Sequence, residues 1–304
     1  MYLNNYHLLI LKTKTILYAA LALTLTACSS DDEQKAPVIQ EIELFTQVSG
    51  SVTRAVNDAD ALQDAQLAAG TKISVKVKEN ASTPSVDYAL TTYTADGLGG
   101  LSLPEGVKQY YPANGNGVNI YAFHPAGTPT TFEVQTDQTS ADNYKKSDLM
   151  WASLSNVTAA SANHTLNFTH LLAKVIVKLE KGDFSETDLA SATVTLGADD
   201  LITSGTFTAA TGVFTPAASG TGTYTIATEA GTSEHAIIVV PQAISGKTIN
   251  VTIGEVTKSY TILTSSFSAG KRYSYVLTLN HSGQISLIQS DITDWDCVEI
   301  VQNM

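Results

Sequence analysis

The chain has 304 residues and a formal net charge of −12 at pH 7, with 15% charged and 43% hydrophobic residues. This acidic balance argues against a nucleic-acid partner and against electrostatic attachment to anionic lipid, because both need clustered positive charge. Cys28 and Cys297 are too few for a disulfide framework and form no CxxC motif. Abundant Thr, Ser, Val and Gly, with few stretches of helical period, favour a globular β-protein.

The first 27 residues have the features of a bacterial sorting signal. Lys12 and Lys14 form a basic patch, and Ile16–Leu25 is an apolar run too short to span a bilayer. No second apolar run of spanning length follows. We therefore predict that residues 1–27 are a signal peptide and that the rest of the chain does not cross a membrane.

The apolar run ends in Leu25-Thr26-Ala27-Cys28, which resembles a lipobox. In lipoproteins the cysteine of this motif is diacylated and becomes the mature N-terminus, and two or more acyl chains anchor a protein stably. We predict lipidation of Cys28, followed by a flexible polar tether over residues 28–37. The alternative is an ordinary secretory signal whose cleavage site happens to precede a cysteine.

The remainder of the chain reads as many short β-strands separated by Gly, Asn, Ser and Pro. In Val38–Val48, the side chains of Ile42, Leu44, Thr46 and Val48 share one face. Further alternating segments lie at 73–77, 88–92, 118–122, 194–196, 205–207, 213–214, 224–226, 249–253, 260–262, 273–279 and 285–287. The run at 236–240 is apolar on both faces and is typical of a buried strand. Asn57–Ala69 is the only segment with a helical period.

Leu166–Gly182 contains the clearest strand of the sequence. Its apolar side chains at alternate positions predict one face on a core and the other turning towards solvent, with Lys174 on the outer face. Leu166 and Phe168 follow the same alternation one register out of step, which predicts a β-bulge near Thr169–His170. We expect Leu171–Leu179 to form the core of the N-terminal half.

This spacing of short strands predicts β-sandwiches, and the length of the mature chain suits two of them better than one. We place the first at residues 38–184 and the second at residues 185–304. The fold class predicted is therefore all-β.

Five motifs occur in order along nearly the whole mature chain. They are the lipobox, Val52-Thr53-Arg54-Ala55, Ser147-Asp148-Leu149-Met150-Trp151-Ala152, Phe168-Thr169-His170-Leu171-Leu172-Ala173-Lys174 and Ile292-Thr293-Asp294-Trp295. In this order and spacing the chain resembles the fimbrillin-like lipoproteins of Bacteroidetes. The resemblance implies two tandem Greek-key (transthyretin-like) β-sandwich domains and a fimbrial subunit or fimbria-associated adhesin at the outer membrane. The partners expected are other fimbrial subunits and, for an adhesive role, a host protein or glycan.

The resemblance also implies a maturation step. In that family an Arg-specific or trypsin-like protease removes the first strand, and a strand donated by another subunit fills the groove. The chain has two arginines, and Arg272 begins a predicted strand, so Arg54 is the more accessible. We predict cleavage between Arg54 and Ala55; the alternative is an ordinary exposed arginine. Only nine residues follow Trp295, whereas stalk-forming relatives tend to need a longer C-terminal donor strand. This argues against self-polymerisation and leaves tip, anchor or minor-subunit roles open.

We predict no catalytic residue, cofactor or metal, and no enzyme. A surface hydrolase with an unrecognised site is the third reading that the sequence leaves open. Ser245–Thr248 resembles the end of a phosphate-binding loop but is predicted to be a turn between strands. The acidic cluster Asp291, Asp294 and Asp296 could hold Ca²⁺, although an exposed charged turn explains it more simply. The alternative function is a non-polymerising surface lipoprotein that binds glycans on a face of Tyr93, Tyr110, Tyr111, Tyr121 and Tyr144.

Overall fold

The computed structural model describes residues 40–48, 66–127, 130–161, 164–228, 234–280 and 285–295, and the fold in these ranges is all-β, as the sequence predicts. In these ranges two short helices accompany the strands, and neither is long and apolar enough to cross a bilayer. The strands are β1 Phe45–Val48, β2 Lys72–Glu79, β3 Thr91–Ala95, β4 Leu101–Ser102, β5 Val118–His124, β6 Thr131–Glu133, β7 Met150–Val157, β8 Thr165–His170, β9 Ala173–Glu180, β10 Thr193–Leu201, β11 Ser204–Thr208, β12 Val213–Pro216, β13 Gly222–Thr228, β14 Glu234–Val239, β15 Gln242–Ala243, β16 Thr248–Ile253, β17 Val256–Thr261, β18 Ser266–Phe267, β19 Lys271–Leu279 and β20 Ile285–Asp294; the helices are α1 Ala141–Ser147 and α2 Glu186–Ala190.

The first sheet has seven strands in the order β1-β8-β7-β5-β2-β3-β4. Its strands alternate as the sequence predicts, so that Ile73, Val75 and Val77 of β2 are fully buried. They pack with apolar side chains from the other strands of this sheet into one core. Pro125 follows β5 directly, and the strand ends at His124.

The second sheet has eight strands in the order β17-β16-β10-β13-β14-β9-β19-β20. Ile237, Ile238 and Val239 of β14 are fully buried, because β14 lies between β13 and β9. This confirms the buried strand predicted at 236–240. The larger of the two hydrophobic cores belongs mainly to this sheet.

The stretch from Leu166 to Gly182 corrects the prediction of one bulged strand. Strand β8 belongs to the first sheet, whereas β9 lies between β14 and β19 in the second sheet. The change of register therefore marks a crossing between sheets, in which the Leu171 N–H donates to Leu149 O at 2.8 Å. The assignment of Leu171–Leu179 to the N-terminal core was wrong, because Val175, Val177 and Leu179 pack in the other core. The division of the chain at residues 184 and 185 stays a prediction.

The two helices lie where the sequence shows no clear helical period. The hydroxyl of Ser140 caps α1 by accepting from Asn143 N at 3.2 Å, and α2 begins with a capping box between Ser185 and Asp188. These local hydrogen bonds stabilise the first turn of each helix. Both helices are too short for a helical period to be visible in the sequence. The predicted helix Asn57–Ala69 falls mostly outside the described residues, and its last four residues, 66–69, are not helical.

Segments of the first half of the chain, up to residue 184, also pair with segments of the second half, from residue 185 on. Strand β6 joins β11 and β12 in a three-stranded sheet, and Trp151 Nε1 donates to Ala209 O at 2.7 Å. The side-chain amide of Gln138 is buried; it donates to Ile238 O at 2.7 Å and accepts from Ile238 N at 2.9 Å. This amide occupies the edge of β14 where β13 has already diverged from it.

Candidate functional site

The first strand carries the alternation predicted from the sequence. Ile42, Leu44, Thr46 and Val48 are buried in the core of the first sheet or beside it, whereas Glu43, Phe45 and Gln47 are exposed. The inward row is apolar except for Thr46. The segment from Ile42 to Val48, which ends in β1, therefore has one face in the core and the other face at the surface.

One edge of β1 pairs with β8. The two strands run parallel, with Phe45 opposite Thr165 and Val48 opposite Phe168. The Phe45 N–H donates to His164 O at 3.1 Å, just before β8 begins. Because β8 pairs with β7 on its other side, β1 extends this end of the first sheet.

The opposite edge of β1 meets the other end of the same sheet. The Thr46 N–H donates to Gly99 O at 2.7 Å, and Leu101 N, in β4, donates to Leu44 O at 3.1 Å. Phe45 faces Gly100 as an antiparallel pair. Since β4 is the last strand of the sheet and β8 follows β1, this single strand joins the two ends of the sheet.

The turn at Gly99 brings the backbone against β1. Gly99 has a φ of +99°, in the region that glycine adopts most readily, and a Cβ at this position would lie 3.4 Å from Thr46 O and 3.2 Å from Gln66 Nε2. Asp96 Oδ1 shapes the turn by accepting from Leu98 N at 2.7 Å and from Gly100 N at 2.9 Å. Glycine at position 99 thus permits the close approach of this turn to β1.

The residues before β1 continue the same pairing. Ile42 N donates to Gln109 O at 2.8 Å, and Tyr111 N donates to Gln40 O at 2.9 Å. At the surface, Lys108 Nζ lies 2.7 Å from Glu41 Oε2. Both charged groups are exposed, so this ion pair contributes little to stability. We call the place occupied by residues 40–48, between β8 on one side and residues 99–101 and 109–111 on the other, the β1 groove.

The predicted modification sites lie outside the described residues. These are Cys28, Arg54 and Ala55; β1 ends at Val48, and the described chain resumes at Gln66. Their lipidation and cleavage stay predictions. Of the acidic cluster, Asp291 is exposed on β20, and the Asp294 side chain and Asp296 are not described. Among the residues that are described, no three His, Cys, Asp or Glu side chains are grouped so that they could hold a metal ion.

The five tyrosines proposed for a glycan-binding face do not form one surface. Tyr93 and Tyr111 are buried in the core of the first sheet, and Tyr93 Oη donates to Gln109 Oε1 at 3.0 Å. Burial raises the pKa of the Tyr93 hydroxyl. Tyr121 and Tyr144 pack against the core of the second sheet. The alternation alone did not reveal that Tyr93 and Tyr111 are buried in a core.

Three motifs that are far apart in the sequence meet in a buried cluster. His170 Nδ1 lies 2.8 Å from Asp148 Oδ1, and the His170 ring stacks on Trp295 with centroids 4.0 Å apart. His124 Nδ1 lies 2.8 Å from Asp148 O, and burial lowers the pKa of the His124 ring. The His170 side chain is therefore buried, hydrogen-bonded and stacked. The Ser245–Thr248 segment is a turn, in which Lys247 N donates to Ile244 O.

One further site was missed by the sequence analysis. The buried carboxylate of Glu79 accepts from the Ser85 hydroxyl at 2.6 Å, from Asn114 Nδ2 at 2.7 Å and from Asn116 Nδ2 at 2.8 Å. These hydrogen bonds, that of Ser85 first, lower the pKa of Glu79 to about 2. A charged residue ending a strand gives no sign that distant turns will supply its donors.

Comparison with known proteins assigns the family. Residues 53–295 match the fimbrillin-like family, and the chain belongs to it. A candidate cell adhesion protein from Bacteroides uniformis has a similar structure, with a TM-score of 0.66 at 20% identity over 84% of this chain and 98% of that one. One from Bacteroides ovatus gives a TM-score of 0.64 at 20% identity over 86% and 99%. No curated protein sequence matches the chain.

Membership of this family supports a role as a fimbrial subunit or adhesin, at the cell surface or in a fimbrium. The family consists of fimbrial and adhesion proteins rather than enzymes. The resemblance drawn from the five motifs is thereby confirmed.

Proposed function

We propose that the chain is a lipid-anchored precursor that becomes assembly-competent when it loses β1. Cleavage after Arg54 separates the segment that contains β1 from the rest of the protein, and a strand donated by another fimbrial subunit then takes its place. The observation that carries this proposal is that β1 joins the two ends of the first sheet by hydrogen bonds on both edges. Arg54 follows Val48 at a distance of six residues.

The energetics favour replacement over an empty groove. Burying an aliphatic side chain contributes roughly 1.5–3 kcal/mol, and Ile42, Leu44 and Val48 each fill such a position. Loss of β1 also exposes main-chain groups of β8 and β4, because each lies at an edge that β1 covers. A sheet with two open edges pairs readily with another strand.

The proteolytic step is tested on the folded full chain with a trypsin-like protease, products being followed by mass. We expect cleavage at Arg54–Ala55 and a gain of oligomers or of binding to a strand peptide. Arg54→Gln removes the site, and Arg272→Gln, within β19, is the matched control that leaves it in place. An intact Arg54–Ala55 bond in the parent chain, or cleavage with no gain of binding, contradicts the proposal.

The lipid anchor is a separate part of the proposal, supported by the lipobox at Leu25–Cys28. Cys28→Ala should release the chain from membranes or block its processing, because the acylated sulfur is lost. Cys297→Ala is the control, since it changes the other cysteine. The lipid anchor is contradicted if the parent and Cys28→Ala fractionate equally with the outer membrane and incorporate labelled fatty acid equally.

We also infer that the chain has no catalytic activity, on the strength of its family. The alternative of a glycan-binding lipoprotein that does not polymerise has lost its proposed surface, because Tyr93 and Tyr111 are buried in a core. An adhesive role within a fimbrium is part of the proposal.

A further inference from the structure

The β1 groove has different pairing on its two sides. On the β8 side its occupant runs parallel to the neighbouring strand, with Phe45 opposite Thr165. On the other side it runs antiparallel to its neighbours, with Phe45 opposite Gly100 and Glu41 opposite Tyr110. Parallel and antiparallel ladders place their donors and acceptors at different spacings. The two walls of the groove therefore define one direction for a strand between them.

The individual hydrogen bonds show how the walls of the groove determine the direction of the strand. The main-chain groups of even-numbered residues in the segment 40–48 face the wall formed by residues 99–101 and 109–111. Ile42 N and Thr46 N donate to this wall, and Gln40 O and Leu44 O accept from it. Odd-numbered Phe45 donates to His164 O on the β8 side. The wall thus offers acceptors at Gly99 O and Gln109 O and donors at Leu101 N and Tyr111 N.

A strand of the opposite direction can place the same side chains inwards, but its backbone cannot repeat this pattern. Reversal exchanges the order of N–H and C=O groups along each edge of the strand. A reversed strand would therefore have to form an antiparallel ladder with β8 and a parallel ladder with residues 99–101. Buried main-chain groups left without partners are costly. A Cβ at Gly99 would lie 3.4 Å from Thr46 O, so the backbone of this wall lies close to the strand in the groove.

We propose that the β1 groove is directional: it accepts a partner strand only when that strand runs as β1 does, parallel to β8, with apolar side chains at the positions of Ile42, Leu44 and Val48. This inference rests on the proposed function and specifies the partner of the same groove. The partner is an extended segment of at least nine residues, the length of Gln40–Val48, entering with its N-terminal end beside Lys108.

The test compares two peptides with identical side chains. The forward peptide has the sequence of residues 40–48, QEIELFTQV, and the reversed peptide reads VQTFLEIEQ. Both present the same residues to the core when aligned in the groove, so that only backbone direction differs. A scrambled peptide of the same composition measures non-specific binding.

The acceptor is the full chain with a site for a specific protease inserted between Gly50 and Ser51, cleaved under native conditions. This makes the assay independent of whether Arg54 is cleaved. The second acceptor is the uncleaved full chain with Leu44→Asp, in which a buried carboxylate expels β1 while the chain stays covalently intact. Near-ultraviolet circular dichroism verifies that each acceptor is folded before peptide is added.

We expect the labelled forward peptide to bind saturably and the reversed peptide to bind about a hundredfold more weakly, since several ladder bonds are lost together. Equal affinity of the two peptides overturns the directional groove and leaves strand addition in place. Binding of neither peptide by either folded acceptor overturns both the directional groove and the proposed function.

Discussion

Val175 is the residue whose replacement should be most damaging to the second sheet. It is fully buried on β9, opposite Ile237 on one neighbouring strand and Tyr273 on the other. Val175→Asp places an unpaired charge there, at a cost of about 3–5 kcal/mol, which is a large part of the stability of an ordinary domain. We expect the variant to fail to fold, as measured by circular dichroism and urea denaturation.

The control for Val175 has to come from the exposed face of the same strand. The alternation predicts that Lys174→Ala is mild, but Lys174 is only 2% exposed, and its Nζ lies 5.8 Å from the centre of the Tyr144 ring. The predicted solvent-facing position of Lys174 was therefore wrong, because α1 lies near β14 and brings Tyr144 over this face. The effect of Lys174→Ala itself stays a prediction. Lys178→Ala, at an exposed position, should change the free energy of unfolding little. Comparable losses in Val175→Asp and Lys178→Ala would refute the burial of Val175.

Glu79 gives the protein a defined dependence on acid. Its pKa falls from 4.5 to about 2 in the folded state. The ionised carboxylate therefore contributes stability that is fully present above pH 4.5 and is lost as the pH falls towards 2. Glu79→Gln should be less stable than the parent at pH 7, and the difference should shrink between pH 4.5 and 2. The measurement is urea denaturation across this range.

Glu105→Gln is the matched control for Glu79, because Glu105 is an exposed glutamate in the same half of the chain. Its substitution should leave the free energy of unfolding nearly unchanged at each pH. A gap between the parent and Glu79→Gln that is constant from pH 7 to 2 would show that the carboxylate is not held ionised by Ser85, Asn114 and Asn116.

At the scale of elements, the attachment of β1 depends on the turn at Gly99. Gly99→Ala introduces a methyl group against Thr46 O and Gln66 Nε2 at a φ that alanine tolerates poorly, at a cost of about 1–2 kcal/mol. We expect faster hydrogen exchange at the amides of Thr46 and Ile42, because both donate to this side of the groove.

Gly106→Ala separates backbone strain from contact with β1. Gly106 has a φ of +78°, and a Cβ there meets nothing within 4 Å. Gly106→Ala should lower overall stability to a similar extent. Hydrogen exchange at the β1 amides should then rise only as much as this loss of overall stability accounts for. Identical exchange profiles for Gly99→Ala and Gly106→Ala would contradict a specific role of the Gly99 turn.

The strands themselves were largely predictable, because half-buried strands alternate with a period of two. The alternation places four side chains on one face of the first strand, and all four are buried: Ile42, Leu44, Thr46 and Val48. Alternation gives the face of a strand but not its neighbours. This is why β8 and β9 were read as a single bulged strand although they belong to different sheets.

The polar contacts were the least predictable part. The pair Asp148–His170 and the stacking of His170 on Trp295 join residues from three distant motifs, and the donors to Glu79 come from two separate turns. Such contacts depend on the tertiary path of the chain, and no local propensity encodes them. The family resemblance predicts a groove, but the pairing of β1 on both of its edges is visible only in the structure.

At the scale of the whole molecule, Gln138 couples the two halves. Its buried amide makes two hydrogen bonds to Ile238, and Gln138 N donates to Thr225 O at 3.2 Å. Gln138→Leu keeps the approximate volume but leaves the Ile238 N–H and C=O without these partners, which costs about 1–3 kcal/mol for each. We expect lower stability and a broader thermal unfolding transition, measured by calorimetry.

Gln135→Leu is the control, because this side chain is exposed three residues earlier in the same segment. It should unfold as the parent does. If Gln138→Leu unfolds at the parent's temperature and with the same width, the amide does not couple the halves.

The pairing of β1 also determines how the protein responds to a pulling force. Because β1 and β8 are parallel, tension between the chain before Gln40 and the C-terminal end of β8 is directed along both strands. The hydrogen bonds on the two edges of β1 then lie across the direction of the load and share it, instead of breaking one after another from an end. The same strand that is held only by non-covalent contacts after chain cleavage is therefore placed to resist mechanical extraction while the chain is intact.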